Sequence, residues 1–204
     1  VEVYQQEIPR FWDSEHKSPM FELYRNGIGD HARMNPALMV RCSTCGFESE
    51  LNRDLWRCPT CGHALEWAGE RALTLDTIRS HAPGLGRYTA VLPVDAEQAV
   101  SLGEGMTPLT SLDIDGVPIR VKLDSQNPTG SFKDRGVSVM ISALKQLGAT
   151  HAIEDSSGNA GASVAAYAAR AGMRCTIFAP AHASPGKLAQ AIAYGAEVRL
   201  IEGK

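Results

Sequence analysis

Short apolar segments alternate with longer segments of helical spacing through the second half of the chain, from Ile119 to Ile201. Glycines stop the longer segments, and the connections between segments are short. Repeated strand–helix units of this kind bury their apolar faces when the strands form a parallel sheet covered by helices. We therefore predict an α/β fold with a mainly parallel sheet and helices on both faces.

The segment boundaries follow from the apolar spacing and from the glycines that end the helices. The predicted strands are residues 119–123, 151–154, 175–179 and 198–201. The predicted helices between them are residues 131–147, 159–171 and 185–194. A further short helix is predicted at residues 73–80.

Two loop motifs open the first two of these helices. The first motif spans residues 127–136 and sets Lys133 at the helix start, behind Gly130 and Ser131. The second spans residues 156–161 and forms a Gly- and Ser-rich loop at a helix start, where free backbone N–H groups collect. The two motifs together indicate an amine nucleophile and a cradle for an anion.

Together these motifs resemble those of the pyridoxal 5'-phosphate enzymes of the tryptophan synthase β-subunit class, or fold type II, and most closely the threonine synthases. The resemblance covers residues 101–204. It implies that Lys133 is the catalytic residue, which holds the cofactor as a Schiff base and moves protons at the substrate's α-carbon. It also implies that Asn159 contacts the ring hydroxyl of the cofactor. The substrate carboxylate is expected on the loop formed by Ser156, Ser157, Gly158, Asn159 and Ala160.

Four of the five cysteines form two Cys-x-x-Cys pairs, Cys42 with Cys45 and Cys58 with Cys61, separated by twelve residues. A glycine after the second cysteine of each pair allows backbone N–H groups to turn toward sulfur. This pattern predicts one structural zinc ion in a zinc ribbon, because four thiolates leave no open position for water. Two disulfides or a redox dithiol are the alternatives, disfavoured by a cytoplasmic setting and by the presence of two pairs.

His63 follows the last of these cysteines and is interpreted as a neighbour of the metal site, since four thiols are already available. Too few apolar residues lie between Cys42 and Cys61 to bury a core, so the metal is expected to supply folding energy. A ribbon ahead of the cofactor core is also a feature of some bacterial and archaeal threonine synthases. The fifth cysteine, Cys175, lies in an apolar run and is predicted to be a buried small hydrophobic residue.

The resemblance implies a lyase of threonine biosynthesis that converts O-phospho-L-homoserine and water to L-threonine and phosphate. One alternative is cysteate synthase or another β- or γ-replacement or elimination enzyme on the same scaffold. The other is a truncated, non-catalytic relative, which the intact Lys133 and Asn159 disfavour. Residues 101–109 also resemble the start of the catalytic domain in threonine synthases, and they disfavour a dehydratase.

Several charged residues lie next to the two motifs or on the helix that follows them. Asp134 and Arg135 follow Lys133 within one helix turn and are expected to form local ion pairs of small energetic value. Their recurrence in the family motif fits a structural role as well as a catalytic one, and they are left out of the catalytic residues. Asp155 precedes the anion loop, so its carboxylate is expected to point away from the ligand or to accept a hydrogen bond. Lys187 is a candidate partner for the leaving phosphate, but the pattern favours a solvated lysine on a helix face.

The predicted domain organisation has four parts: an unassigned N-terminal extension at 1–38, the zinc ribbon at 39–68, a linker at 69–100, and the N-terminal part of the catalytic domain at 101–204. The chain begins with Val1 and stops at Lys204, directly after a predicted core strand, so we expect a piece of a longer protein. Family members continue to a Gly-rich loop for the cofactor phosphate and to a Ser or Thr at the pyridine nitrogen. This piece alone is therefore expected to be inactive.

Composition limits the partners and the compartment. The chain has 204 residues, 44% of them hydrophobic, and a net charge of −3, which is typical of a globular protein without a basic surface for nucleic acid. No window approaches the roughly 18 apolar residues of a membrane span, and acidic residues interrupt the first thirty positions. We expect a cytoplasmic protein whose partner is a small amino-acid substrate. The resemblance is also compatible with a homodimer, since dimers are common in that family.

Overall fold

The computed structural model describes residues 38–52, 54–69 and 72–202. The predicted extension at 1–38 lies outside these residues except for Leu38. The described residues form two compact units, 38–147 and 148–202.

The first unit begins with a small antiparallel sheet. Its strands are β1 (Met39–Arg41), β2 (Glu48–Glu50) and β3 (Glu66–Trp67), in the order β2-β1-β3. The turn after β1 and the turn before β3 each close with a hydrogen bond of 2.9 Å, from Gly46 N–H to the Cys42 carbonyl and from Gly62 N–H to the Cys58 carbonyl. Both glycines have φ in the left-handed region, at +73° and +75°, as the cysteine pattern requires.

The helix predicted at residues 73–80 is wrong. Only Leu75–Thr77 form a single 3₁₀ turn, closed by hydrogen bonds between Thr74 and Thr77. Leu75 is 90% exposed, so this segment has no buried apolar face that would stabilise a longer helix. A second 3₁₀ helix, Gly84–Val91, follows.

A β-hairpin and a helix complete the first unit. The strands β4 (Leu109–Ile114) and β5 (Val117–Lys122) pair in antiparallel register, and β5 confirms the strand predicted from residue 119. Strand β4 was not predicted. Helix α1 spans Lys133–Gln146 and confirms the predicted helix with a start two residues later.

The second unit is a parallel sheet with two connecting helices. Strands β6 (His151–Glu154), β7 (Arg174–Pro180) and β8 (Glu197–Ile201) lie in that order. Helix α2 (Asn159–Ala171) and helix α3 (Pro185–Ala193) connect them. These elements confirm the predicted α/β class and the parallel sheet. Because the strand order follows the chain and such connections are right-handed, α2 and α3 lie on one face, where they contact each other.

Small side chains allow α2 to be buried along most of its length. Residues 161–168 are all buried, and this stretch contains Gly161, four alanines and Tyr167, which is fully inaccessible. The helix packs on β6, β7 and α3. Cys175 on β7 is buried, as predicted, and burial followed by the charge of Glu154 raises the pKa of its thiol to about 11.

No helix in the described part of the chain combines the length and apolar character needed to cross a membrane.

Candidate functional site

The four paired cysteines converge in the first unit. The Sγ atoms of Cys42, Cys45, Cys58 and Cys61 all lie within 4.8 Å of one another. The shortest separations join the two pairs, at 3.5 Å between Cys42 and Cys61 and 3.4 Å between Cys45 and Cys58. A tetrahedral zinc ion with bonds of about 2.3 Å has sulfur–sulfur edges of about 3.8 Å, so the cluster has the size of a metal site with four cysteine ligands.

The same distances argue against disulfides, because bonded sulfur atoms lie about 2.05 Å apart. All four cysteines are free thiols. His63 is exposed and lies outside the cluster, with its Nδ1 3.2 Å from the carbonyl of Cys61. The arrangement therefore agrees with a site of four sulfur ligands.

Backbone N–H groups make two of the thiols acidic. Burial raises the pKa of Cys58, but hydrogen bonds from the backbone of Cys61 and Thr60 outweigh it and lower that pKa to about 6. The pKa of Cys42 is also lowered, mainly by the backbone of Cys45.

The other two thiols, Cys45 and Cys61, resist ionisation. Their pKa values are raised despite backbone hydrogen bonds from Phe47 and His63, because burial and the neighbouring thiols oppose further negative charge. A bound cation would remove this opposition, so the four residues fit a metal ion that requires thiolates.

Lys133 is the first residue of α1, as the sequence predicts. Its side chain is exposed, with Nζ 4.9 Å from the centre of the Phe132 ring. Neither of the two ion pairs found among the described residues involves it. Its backbone N–H donates to Ser131 Oγ at 3.3 Å, and Gly130 supplies the positive φ of +84° that turns the chain into the helix. The amine is thus accessible to a carbonyl compound.

The turn before Lys133 is held by a buried acid. Asp134 has no exposed surface, and its carboxylate accepts hydrogen bonds from Thr129 N–H at 2.7 Å and Thr129 Oγ1 at 2.5 Å. Its position in the first helical turn also favours a negative charge there. Through these hydrogen bonds Asp134 holds the turn that leads into α1.

The second motif lies at the carboxyl end of β6, where parallel sheets commonly bind ligands. Ser156, Ser157, Gly158 and Ala160 are half-buried, and Asn159 is exposed. Gly158 occupies the position before α2, so no side chain caps the first N–H groups of this helix. These groups fit a bound anion.

Lys133 belongs to the first unit and the loop of residues 156–160 belongs to the second, so the structure defines each half of the predicted site separately. Asp155 and Lys187 are both exposed. The role of each in ligand binding stays a prediction.

Close backbone packing fixes the second loop. A methyl group added at Gly161 would lie 2.2 Å from the carbonyl oxygen of Ser156, whereas one at Gly136 on α1 would meet nothing within 4 Å. We expect Gly161→Ala to lower the free energy of unfolding by about 1–3 kcal/mol through overpacking. Gly136→Ala should instead raise it by up to about 1 kcal/mol, as expected for an exposed helix position. Denaturant titration of both variants measures this difference, and equal stability would contradict the packing at Ser156.

Comparison with known proteins assigns the family. A family model described as "Pyridoxal-phosphate dependent enzyme" matches residues 100–204, which contain both loop motifs. The chain belongs to this family. Members of the pyridoxal-phosphate dependent enzyme family use a lysine amine to hold the cofactor aldehyde. The accessible amine of Lys133 fits that cofactor.

Known relatives of this pyridoxal-phosphate family member include threonine synthases. That of Bacillus sp. (strain ULM1) is 49% identical over 125 residues, which cover 58% of this chain and 36% of that protein. That of Methanocaldococcus jannaschii is 36% identical over 178 residues, which cover 81% of this chain and 44% of that protein. The chain therefore spans less than half the length of these relatives. Among solved structures, a hydrogen sulfide-producing enzyme from Fusobacterium nucleatum shares 37% identity over 48% of this chain and 35% of its own, with a TM-score of 0.46.

The match to the Methanocaldococcus jannaschii threonine synthase is long enough to include the cysteine cluster. Any continuous stretch that covers 81% of 204 residues must include residues 41–164. The similarity to the Methanocaldococcus jannaschii threonine synthase thus extends over the four cysteines, Lys133 and the loop of residues 156–160. The resemblance to threonine synthases is confirmed at this level.

Proposed function

We propose that this chain is the N-terminal part of a threonine synthase, a pyridoxal-phosphate dependent lyase that converts O-phospho-L-homoserine and water to L-threonine and phosphate. The observation that carries the proposal is similarity to threonine synthases over a continuous region that includes the cysteine cluster, Lys133 and the anion loop. Each of these features has local geometry that suits its proposed task.

When bound, pyridoxal phosphate supplies an electron sink for the carbanion that forms on the amino-acid substrate. In this proposal Lys133 anchors the cofactor through its amine and, once displaced by substrate, moves protons at the substrate's carbon atoms. Asn159 contacts the ring hydroxyl. The N–H and hydroxyl groups of residues 156–160 hold the substrate carboxylate, since the positive end of the α2 dipole favours an anion.

The cysteine cluster is proposed to bind one structural zinc ion. Its burial pattern supports this task, because Cys42 and Cys58 are inaccessible and few other apolar residues of the ribbon are buried. The metal would then replace the hydrophobic core that this short segment lacks. A cytoplasmic location and an amino-acid substrate as the partner belong to the same proposal.

The second candidate function is cysteate synthase or a related replacement enzyme on the same scaffold. It shares the lysine, the anion loop and the family, so the described residues suit it as well. The relatives named above favour threonine synthase. A non-catalytic relative is disfavoured because Lys133 remains accessible at the helix start.

Substrate choice is tested with the full-length protein that contains this chain, loaded with pyridoxal phosphate. We expect phosphate release and threonine formation from O-phospho-L-homoserine, and turnover at least about tenfold slower from O-phospho-L-serine with sulfite, because the site must match the longer side chain. Phosphate is measured by colour reaction and the amino acids by chromatography. Cysteate formed from O-phosphoserine, without threonine from O-phosphohomoserine, would reassign the protein to cysteate synthase.

A further inference from the structure

Three side chains form a closed polar triangle behind Lys133, here named the Arg135 clamp: Thr107, Asp124 and Arg135. Arg135 binds Asp124 through two hydrogen bonds, Nε to Oδ2 at 3.0 Å and Nη2 to Oδ1 at 2.7 Å. Nη2 also donates to Thr107 Oγ1 at 3.1 Å, and that hydroxyl donates to Asp124 Oδ1 at 2.7 Å. Each contact therefore reinforces the other two.

The clamp joins segments that are distant in sequence. Thr107 precedes β4, Asp124 follows β5 and Arg135 lies in the first turn of α1. The ion pair between Asp124 and Arg135 closes a loop of residues 124–135, and this loop contains Lys133 and nearly all of the first motif. Within it, the contact between Thr129 and Asp134 closes a smaller loop. The Arg135 clamp and the inner contact between Thr129 and Asp134 thus both hold the start of α1.

Asn127 ties the loop to a further segment. Its Nδ2 donates to the Asp124 carbonyl at 2.9 Å, and its Oδ1 accepts the Gly105 N–H at 2.9 Å. Asn127 and Thr107 are 5% and 6% exposed, so their polar groups are buried away from solvent. Buried polar networks whose hydrogen bonds are all made rigidify the segments that they join.

The clamp carries charge at neutral pH. Hydrogen bonds from Arg135 and then Thr107 hold the pKa of Asp124 well below its usual range, and the same pair raises the pKa of Arg135. The second ion pair among the described residues, Arg199 with Glu197, makes one contact of 2.8 Å, and its side chains are 54% and 57% exposed. That pair lies on β8, in the second unit. The substitution Arg199→Gln therefore removes an ion pair but leaves the clamp intact, and it serves as the control.

We propose that Arg135 is a positioning residue: through Asp124 and Thr107 it fixes the direction in which α1 presents the Lys133 amine. This inference rests on the proposed function, in which Lys133 reacts. A displacement of about 1 Å at a reacting group can cost about 100-fold in rate, so a rigid helix start has a direct catalytic value.

The first test needs no cofactor and measures the helix start itself. Backbone hydrogen exchange is recorded on the full-length protein for wild type, Asp124→Asn, Thr107→Val and the control Arg199→Gln. We expect exchange at the N–H groups of Thr129 and Gly130 to accelerate about tenfold in the two clamp variants, which corresponds to one lost hydrogen bond. Exchange in β6 to β8 should not change. Unchanged exchange at Thr129 and Gly130 would overturn the proposal.

The second test separates positioning from a general loss of stability. In the loaded enzyme, Asp124→Asn and Thr107→Val should lower kcat about 10- to 100-fold with KM changed less than about threefold, because the reacting amine is misplaced while the substrate loop is intact. Thr107→Ser keeps the hydroxyl and should restore kcat, whereas Arg135→Lys should not, since an ammonium group cannot form the paired contact. The control Arg199→Gln should behave as wild type.

These tests distinguish failure of the positioning role of Arg135 from failure of the proposed function. A wild-type enzyme with turnover whose clamp variants keep kcat within about twofold overturns the positioning role alone. A wild type without any Lys133-dependent turnover overturns the proposed function, and hydrogen exchange then still reports whether the clamp orders the turn. If Asp124→Asn does not fold, the pair Thr107→Val and Thr107→Ser decides, because Thr107→Val keeps the side-chain volume, Thr107→Ser removes only a methyl group, and neither changes the charge.

Discussion

Replacing Lys133 with alanine is expected to lower kcat of the full-length, cofactor-loaded enzyme by about a thousandfold or more. The variant removes the amine that anchors the cofactor and the group that moves protons, and acid–base catalysis alone contributes about 10²- to 10⁴-fold. Because Lys133 is exposed and makes no ion pair among the described residues, the substitution should not destabilise the fold. Phosphate release from O-phosphohomoserine measures the loss.

The matched control for this variant is Lys145→Ala. Lys145 is an exposed lysine on the same helix, twelve positions further along α1. Its removal changes the net charge by the same amount but leaves the helix start intact. A Lys133→Ala enzyme that turns over within about tenfold of the Lys145→Ala enzyme would contradict the role of Lys133.

Removal of the ribbon metal is expected to unfold the cysteine-bearing segment. Purified full-length protein should contain one zinc ion per chain, and Cys42→Ser or Cys58→Ser should lose it. Structural zinc binding contributes about 10–16 kcal/mol in isolated zinc-finger peptides, far more than the few buried apolar residues of this ribbon can replace. Metal analysis and hydrogen exchange of residues 39–68 measure the two effects.

The fifth cysteine supplies the control for the metal prediction. Cys175 is buried in β7 and lies outside the cluster of four cysteines. Cys175→Ala should therefore retain zinc. The prediction is wrong if wild-type protein prepared without chelator contains no metal, or if the Cys42→Ser protein keeps a full equivalent.

The second unit was the most predictable part of the fold from sequence. The bounds of β6 and α2 agree with the prediction to the residue, because the apolar pair Ala152 and Ile153 is flanked by polar residues and Gly172 ends the helix in the left-handed conformation. Both signals are local. These local signals were sufficient to predict a strand at β6 and a helix at α2.

The first unit was less predictable because its elements depend on non-local contacts. Strand β4 contains Ser111 and Asp113, and its apolar Leu112 and Ile114 remain about half exposed, so no strong strand signal marks it. Residues 73–80 were predicted as a helix, but Leu75 stays exposed to solvent. Local pattern alone cannot reveal whether a segment finds a partner.

The candidate site also contains residues that the sequence predicts and residues that it does not. Lys133, the loop of residues 156–160 and the four cysteines each belong to a short motif whose spacing is visible in the sequence. Thr107 and Asp124 were missed, because their contacts with Arg135 span 28 and 11 residues. The sequence predicted a local ion pair for Arg135, but it did not reveal the partner or the clamp that the three residues build.

The most direct test of the account is the absorbance spectrum of the full-length protein with pyridoxal phosphate, compared between wild type and Lys133→Ala. If Lys133 anchors the cofactor, wild type will show the long-wavelength band of a lysine-linked pyridoxal compound, and the variant will show only the band of the free aldehyde. An identical spectrum for both proteins, with or without the band, would contradict the central claim that Lys133 is the cofactor lysine.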